Sequence, residues 1–357
     1  MRKTLIKGNE AVVRGALMGG ATHFFGYPIT PASEIAHAAA DLFTRSGRTF
    51  LQAESETSAI NMIYGAASGG ARVMSASSGP GISLMLEGLS YMAGAELPAV
   101  IIDVQRAGPG LGNIWPEQSD YNMVTRGGGH GSFHNIVLAP SSAQEMTDFA
   151  YRAFDLADAY RMVVIILTDA YIGQMMEPVG FPDSVKHARR KSWALYADAE
   201  SRSNLITSIV MSQKGMSDHN IKLQEKYRRV KRDLTDWEET YCDDAEYLFV
   251  AFGITARVAS SAVELLREKG IKAGLLRPKT LFPFPSERIK ELSSSVRFIA
   301  VAELNNGMMA DDVELALSGA CPVLRYNWFG GIVPGAEDLA SMLEKDIVKI
   351  EKGGLGK

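Results

Sequence analysis

Asn135-Ile136-Val137-Leu138, then Ala143 to Tyr160, then Met162-Val163-Val164-Ile165-Ile166-Leu167 form the stretch that decides the fold. A short apolar run, a segment whose apolar residues recur at helical spacing, and a second β-branched run spell strand, helix, strand. Strands that are apolar at every position, rather than at alternate ones, are buried on both faces, as in a parallel sheet covered by helices. Ala99 to Val104 reads as another such strand, and strand, Gly or Ser turn and helix repeat from the start to about Pro182. Ligands of these sheets sit beyond the carboxyl ends of the strands, which makes the loops there the place to look for function.

Outward from that stretch, residues 183 to 244 change character. They hold His187-Ala188-Arg189-Arg190-Lys191, the basic run Lys226 to Arg232, and acids from Asp233 to Asp244. The acidic run cancels the field of the basic one, so this segment is expected to be a solvated linker with a helix, not a nucleic-acid surface. A second core begins at Tyr247, with strands at Tyr247 to Phe252, Ala273 to Leu276 and Phe298 to Ala302 and a helix from Thr255 to Lys269. The expected division is therefore residues 1–185, a charged linker 186–244, and a second α/β domain 245–357.

A length of 357 residues agrees with two domains, each able to bury a core. With 46% hydrophobic and 22% charged residues the composition is that of a globular chain and excludes a disordered or collagen-like one. No apolar run reaches the ~20 residues a bilayer needs. Lys7-Gly8-Asn9-Glu10 interrupts any signal-peptide core, so a cytoplasmic protein without a membrane partner is expected. A net charge of −4 gives no reason to expect nucleic acid. Cys242 and Cys321 are far apart and cannot form an iron–sulfur or zinc site alone, so no metal site is expected in this chain.

Four motifs carry side chains suited to chemistry. In Gly26-Tyr27-Pro28-Ile29-Thr30-Pro31-Ala32-Ser33 the prolines stiffen a loop that presents the Thr30 hydroxyl, although Thr30 or Ser33 can equally cap the next helix. Glu54-Ser55-Glu56 stands where a strand meets an amphipathic helix, a ligand position, although acids there also simply favour the helix N-terminus. Ser75-Ala76-Ser77-Ser78-Gly79-Pro80-Gly81 follows the strand around Val73 and can cradle an anion or form a plain turn; it has no Lys and is not a P-loop. Asp103-Val104-Gln105-Arg106 ends a buried strand in an Arg that can grip a carboxylate in a bidentate pair, or else ion-pair within its own domain. His130, in a run of glycines, could be a substrate contact, although a lone loop histidine more often has no special role.

Together these motifs, with Arg277-Pro278, Phe282-Pro283-Phe284-Pro285 and Glu303-Leu304-Asn305, resemble the α subunit of the 2-oxoacid:ferredoxin oxidoreductases over essentially the whole chain. Gln52 to Glu56, Gly127 to Gly131 and Gly173 to Pro178 look most similar to the branched-chain, 2-oxoisovalerate-using members, with the 2-oxoglutarate enzymes as near relatives. The resemblance implies a pyrimidine-binding domain for thiamine diphosphate (TPP) followed by a transketolase-C-terminal-like domain. It implies oxidative decarboxylation of 2-oxoisovalerate and related acids to acyl-CoA and CO₂ with reduction of ferredoxin. A 2-oxoglutarate or broad specificity is the near alternative, and a non-catalytic assembly subunit the distant one.

The resemblance also implies a division of labour. A β subunit would bring Mg²⁺, the diphosphate half of the TPP site and a [4Fe–4S] cluster; γ and ferredoxin-like δ subunits would complete the assembly, with coenzyme A as co-substrate. This chain has no Gly-Asp-Gly followed by an Asn pair, and Asn305-Asn306 lacks the acidic half. Glu56 matches the glutamate that contacts N1′ of the aminopyrimidine, Thr30 a substrate- and cofactor-facing hydroxyl, and Arg106 the arginine that holds the 2-oxoacid carboxylate. Tyr27, Pro28, Ser78 and Gly79 are expected as cofactor-pocket wall.

Overall fold

The computed structural model describes residues 3–352. Met1 and Arg2, and Gly353 to Lys357 at the end of the second expected domain, lie outside the described residues. In chain order the first half runs β1 (Thr4–Lys7), α1 (Gly8–Met18), β2 (His23–Gly26), α2 (Ser33–Arg45), β3 (Thr49–Gln52), α3 (Glu56–Ser68), β4 (Val73–Ser77), α4 (Gly79–Gly94) and β5 (Ala99–Gln105). It continues with α5 (Tyr121–Thr125), β6 (Ile136–Leu138), α6 (Ala143–Tyr160), β7 (Val163–Asp169), α7 (Ala170–Gln174) and β8 (Met176–Val179). Then come α8 (Gln213–Leu234), β9 (Trp237–Thr240), β10 (Tyr247–Ala251), α9 (Gly253–Glu268), β11 (Ala273–Pro278), β12 (Thr280–Phe282), α10 (Ser286–Ser293), β13 (Phe298–Glu303), α11 (Met308–Leu317), β14 (Val323–Asn327) and α12 (Ala336–Glu351).

The strand–helix–strand stretch forms β6, α6 and β7, with α6 spanning the expected residues because Ser142 caps it, its hydroxyl accepting the Glu145 N–H at 3.1 Å. β5 and β7 are buried at every residue and pair in parallel at the centre of a sheet ordered β12-β6-β7-β5-β4-β2-β3. All its neighbours are parallel except β12, which pairs antiparallel with β6. The chain goes from β2 out to β3, then crosses back over β2 to β4. This reversal opens a crevice beyond the carboxyl ends of β2 and β4, the usual ligand position of an open α/β sheet.

The second sheet is ordered β14-β13-β10-β11-β9, parallel except for β9. Two strands cross the expected divisions. β9 comes from the charged segment yet edges the second sheet, and β12 leaves the second domain to cover the β6 edge of the first. An open edge invites foreign strands, and β12 closes this one.

The charged segment also differs from a solvated linker. α8 buries Leu223, Tyr227 and Val230, residues four and three apart on one face, while Lys222 and Lys226 reach the buried Glu96. The high charge concealed an amphipathic stripe that is plain once those three positions are read together.

The two sheets are joined by buried polar contacts. Asp169 Oδ2 accepts the Ile254 N–H at 3.1 Å. Gln118 Nε2 donates to Phe252 O at 2.8 Å, and its Oε1 accepts the Leu304 N–H at 2.9 Å. Arg277 grips Glu145 with two bonds of 2.7 and 2.9 Å. These ties hold the Glu303-Leu304-Asn305 turn over the crevice.

Candidate active site

Four neighbouring strands deliver the expected site residues from their carboxyl ends. The loop after β2 carries Tyr27, Pro28 and Thr30, α3 after β3 begins with Glu56, Ser78 and Gly79 follow β4, and Arg106 follows β5. These strands are adjacent in the order β3-β2-β4-β5, so residues up to 79 positions apart in sequence share one rim.

Thr30 and Arg106 meet directly: Arg106 Nη1 donates to Thr30 O at 2.8 Å and Nη2 to Leu111 O at 3.0 Å. Among the described residues Arg106 has no acidic partner within salt-bridge distance, and its Nε–H is buried without an acceptor. A guanidinium so placed keeps a donor for a planar carboxylate. The Thr30 side chain is exposed, and neither it nor Ser33 caps α2, whose N-cap is Ala32 without a side-chain bond.

The paired acids divide. Glu54 is exposed and accepts a hydrogen bond from Ser58, while Glu56, the first residue of α3, is 5% exposed. Ser55 supplies the cap, leaving the Glu56 carboxyl free for other work. It lies against Gly81: a Cβ at that position would strike Ser77 Oγ, Glu56 Oε1 and, at 2.9 Å, Glu56 Cγ. Ser75, Ser77 and Ser78 hydroxyls are buried with no protein partner. Orphaned hydroxyls, with that of Ser77 close to a buried carboxyl, are costly unless another molecule completes them.

Between Gly79 and Arg106 opens a cavity of about 850 Å³, also walled by Glu117, Asp120, Asn305 and Phe329. Two further carboxyls, Asp103 and Asp120, are buried, and Asp120 lines the cavity. Burial, and then the neighbouring Asp120 charge, pushes Asp103 well up from the ordinary carboxyl range. Burial likewise pushes Asp120 up to about 7. Glu117 ties the surrounding loop to the second domain, accepting the Gly108 and Gly330 N–H groups at 2.9 and 2.8 Å.

A second cavity of about 460 Å³ lies on the other side of Thr30, lined by Pro31, Ile114, Trp115, Pro116, Ala170, Tyr171, Gln174 and Met175. Its wall is mostly apolar and carries no basic side chain among the described residues.

His130 belongs to neither cavity. Its carbonyl oxygen accepts the Ser90 hydroxyl at 2.6 Å, eleven residues and so roughly 16 Å along α4 from Gly79. Asp120 and the apolar run Ile114-Trp115-Pro116 were not picked out as site residues by their sequence. The one signal for Asp120 is the unusual density of Pro, Gln, Ser and acid from Pro116 to Asp120 between two buried elements.

The residues present fit the pyrimidine end of TPP. A buried carboxyl with an open side and orphaned hydroxyls can receive a polar heterocycle. They do not offer a diphosphate–metal site: Asn305 Oδ1 is occupied by the Gly307 and Met308 N–H groups, and among the described residues no cluster of three or more His, Cys, Asp or Glu is arranged for a metal. Among the described residues no helix is long and apolar enough to cross a membrane.

Comparisons with known proteins place these features. Residues 14–242 match the family described as pyruvate flavodoxin/ferredoxin oxidoreductase, thiamine-diphosphate-binding, and residues 245–339 match pyruvate:ferredoxin oxidoreductase core domain II. The ketoisovalerate oxidoreductase subunit VorB of Methanothermobacter thermautotrophicus is 54% identical over 97% of this chain and 97% of its own. The 2-oxoglutarate synthase subunit KorA of Archaeoglobus fulgidus is 37% identical over 99% and 100%. Among solved structures, a 2-oxoglutarate:ferredoxin oxidoreductase from Magnetococcus marinus, with 2-oxoglutarate, coenzyme A and succinyl-CoA bound, matches with a TM-score of 0.90 at 26% identity. That match covers 97% of this chain and 65% of the other, so the chain spans under two thirds of that protein. A split-gene transketolase, an inactive β4 tetramer, shares the fold at 13% identity with a TM-score of 0.59, over 96% and 98% of the two chains.

Proposed function

This chain belongs to the thiamine-diphosphate-binding pyruvate flavodoxin/ferredoxin oxidoreductase family, and from that premise we propose that it is the subunit of a 2-oxoacid:ferredoxin oxidoreductase that grips the 2-oxoacid. Its preferred substrates are 2-oxoisovalerate and related branched-chain acids, converted to acyl-CoA and CO₂ with reduction of ferredoxin. The observation that carries the preference is the apolar cavity of about 460 Å³ beside Thr30. It suits a branched alkyl group and has no cation for the distal carboxylate of 2-oxoglutarate. The 54% identity to a ketoisovalerate subunit, against 37% to a 2-oxoglutarate one, supports the same choice.

Each residue then has a task that its surroundings suit. Arg106, tied to the Thr30 and Leu111 carbonyls, holds the substrate carboxylate, so the alkyl end reaches past Thr30 into the apolar cavity. The exposed Thr30 hydroxyl orients the 2-oxo group. Glu56, buried and uncommitted to its own helix cap, exchanges a proton with N1′ of the aminopyrimidine. Tyr27, Pro28, Ser78 and Gly79 wall the pyrimidine. When bound, TPP supplies the carbon nucleophile that the side chains of this protein lack. A β subunit contributes Mg²⁺, the diphosphate half of the site and a [4Fe–4S] cluster, with γ and, in some members, δ subunits completing the assembly.

The test is anaerobic affinity purification of the tagged chain from its own cells, followed by viologen reduction with coenzyme A and 2-oxoisovalerate, 2-oxoglutarate or pyruvate. Fastest reduction with 2-oxoisovalerate is expected, and Glu56→Gln should abolish decarboxylation while leaving subunit assembly intact. Preference for 2-oxoglutarate would overturn the substrate choice. Normal turnover of Glu56→Gln would remove Glu56 from the chemistry.

A further inference from the structure

A cation stands one side chain away from the apolar cavity of about 460 Å³. Gln174, the last residue of α7, lines that cavity, and its amide is engaged at both ends by residues that do not. Its Oε1 accepts Lys7 Nζ at 3.2 Å and its Nε2 donates to Glu34 Oε2 at 2.9 Å. Lys7 in turn donates to Glu34 Oε1 at 2.7 Å, so lysine, glutamate and glutamine close a ring of three hydrogen bonds.

The backbone fixes this ring. Lys7 ends β1 opposite Met176 of β8 in antiparallel register, and the Gly8 N–H bonds to Met175 O at 3.2 Å, which holds the Lys7 stem beside the end of α7. Glu34 stands in the first turn of α2. Buried Asn9 ties it to the cavity rim, donating to Glu34 Oε2 at 3.3 Å and to Pro31 O at 3.0 Å. Gly173 packs so closely that a Cβ there would meet Asn9 Oδ1 at 2.5 Å. Three segments distant in sequence thus converge on Gln174.

The charge of Lys7 is met by Glu34, and what reaches the cavity is the neutral, satisfied amide of Gln174. We propose that Gln174 is a specificity-determining residue that, together with Glu34, screens Lys7 from the substrate and so excludes 2-oxoacids with a second carboxylate. The proposal rests on the reading of this cavity as the alkyl site. A branched alkyl group asks nothing of the ring, whereas a distal carboxylate arriving there gives up water and finds no free charged donor. Shortening Gln174 removes the atoms between Lys7 and the cavity. Neutralising Glu34 then leaves the ammonium without its acid, ready to take a carboxylate in a charge-assisted hydrogen bond.

The test uses the assembled complex and viologen reduction with 2-oxoisovalerate and 2-oxoglutarate. Gln174→Ala combined with Glu34→Gln should raise kcat/KM for 2-oxoglutarate relative to 2-oxoisovalerate by ~10-fold or more, the worth of a hydrogen bond to a charged group. The gain should lie mainly in KM, because the distal contact is the same in ground and transition states. Gln174→Ala alone should gain less, since Glu34 still holds the ammonium. Arg14 and His37 share a neighbouring cleft with Glu34, so adding Lys7→Met to the double variant decides which cation acts: it should return the ratio to the parent's. Gln174→Met fills the same space without an amide and should stay near the parent's ratio, separating the screen from a loss of packing. Where 2-oxoglutarate turns over slowly, its competition against 2-oxoisovalerate reads the same preference.

No gain in the double variant, a gain that survives Lys7→Met, or an equal gain in Gln174→Met overturns the screen. A parent that prefers 2-oxoglutarate overturns the substrate reading and the screen together. A parent that prefers 2-oxoisovalerate beside an unresponsive double variant overturns the screen alone.

Discussion

Gly81→Ala isolates the packing at the site. α3 and α4 pack face to face, and three glycines on them differ in what an added methyl would meet: nothing within 4 Å at Gly65, Ile60 Cγ2 at 2.7 Å at Gly88, and Ser77 Oγ with the Glu56 carboxyl at Gly81. In an open helix position Gly→Ala gains ~1 kcal/mol, so Gly65→Ala should raise stability by about that much. Overpacking costs ~1 to 3 kcal/mol, so Gly88→Ala and Gly81→Ala should end about 0 to 2 kcal/mol less stable than the parent after the helix gain is subtracted. The two then part in function. Gly88→Ala pushes only on an aliphatic side chain, whereas Gly81→Ala must displace the Glu56 carboxyl, and a displacement of ~1 Å at a reacting group costs ~100-fold in rate. Urea unfolding midpoints of the three chains and viologen reduction by their assembled complexes measure both quantities. Gly81→Ala with the stability of Gly65→Ala and the parent's turnover would refute the proposed closeness of Gly81, Ser77 and Glu56.

Arg106→Ala should raise KM for the 2-oxoacid and lower kcat, and unchanged kinetics would assign Arg106 to loop structure alone. Glu96, despite burial that pushes it up, is brought down to about 2 by Lys222 and Lys226 of α8. A lowered carboxyl stabilises the fold above its unfolded value of 4.5 and loses that contribution as pH falls toward 2. At ~1.4 kcal/mol per pH unit the ceiling is about 3 kcal/mol. Glu96→Gln should therefore weaken the chain at pH 7 and match the parent near pH 2, as read by unfolding across pH. Arg277→Ala leaves the largely buried Glu145 with only the Ser141 donors and Lys279 at 3.6 Å, which should cost ~1.5 to 3 kcal/mol in a thermal or urea unfolding measurement.

Much of the architecture is legible in the residues. A strand apolar at every position, such as Val163 to Leu167, can be satisfied only between two helix layers, and Ser142 marks where α6 starts because its hydroxyl has an N–H to accept. The charged segment misleads because charge and burial are read from different faces of one helix. Lys226 and Tyr227 are neighbours in sequence, and the structure half-buries the first in an ion pair and buries the second by packing. β12 is illegible for another reason: Thr280 to Phe282 is too short for a pattern, and its pairing with β6 is fixed by contacts about 140 residues away.

The candidate site divides along the same line. The sequence by itself determined the kinds of chemistry at each strand end, namely a hydroxyl after β2, acids after β3, a Gly turn after β4 and a guanidinium after β5. These follow from local pattern, since a buried strand must end in a loop and the loop's residues are then exposed to ligand. Which acid is buried and which hydroxyls are orphaned became visible in the folded chain alone. Those facts depend on strand order and register, which bring distant residues into one low-dielectric space where a missing partner becomes energetically decisive.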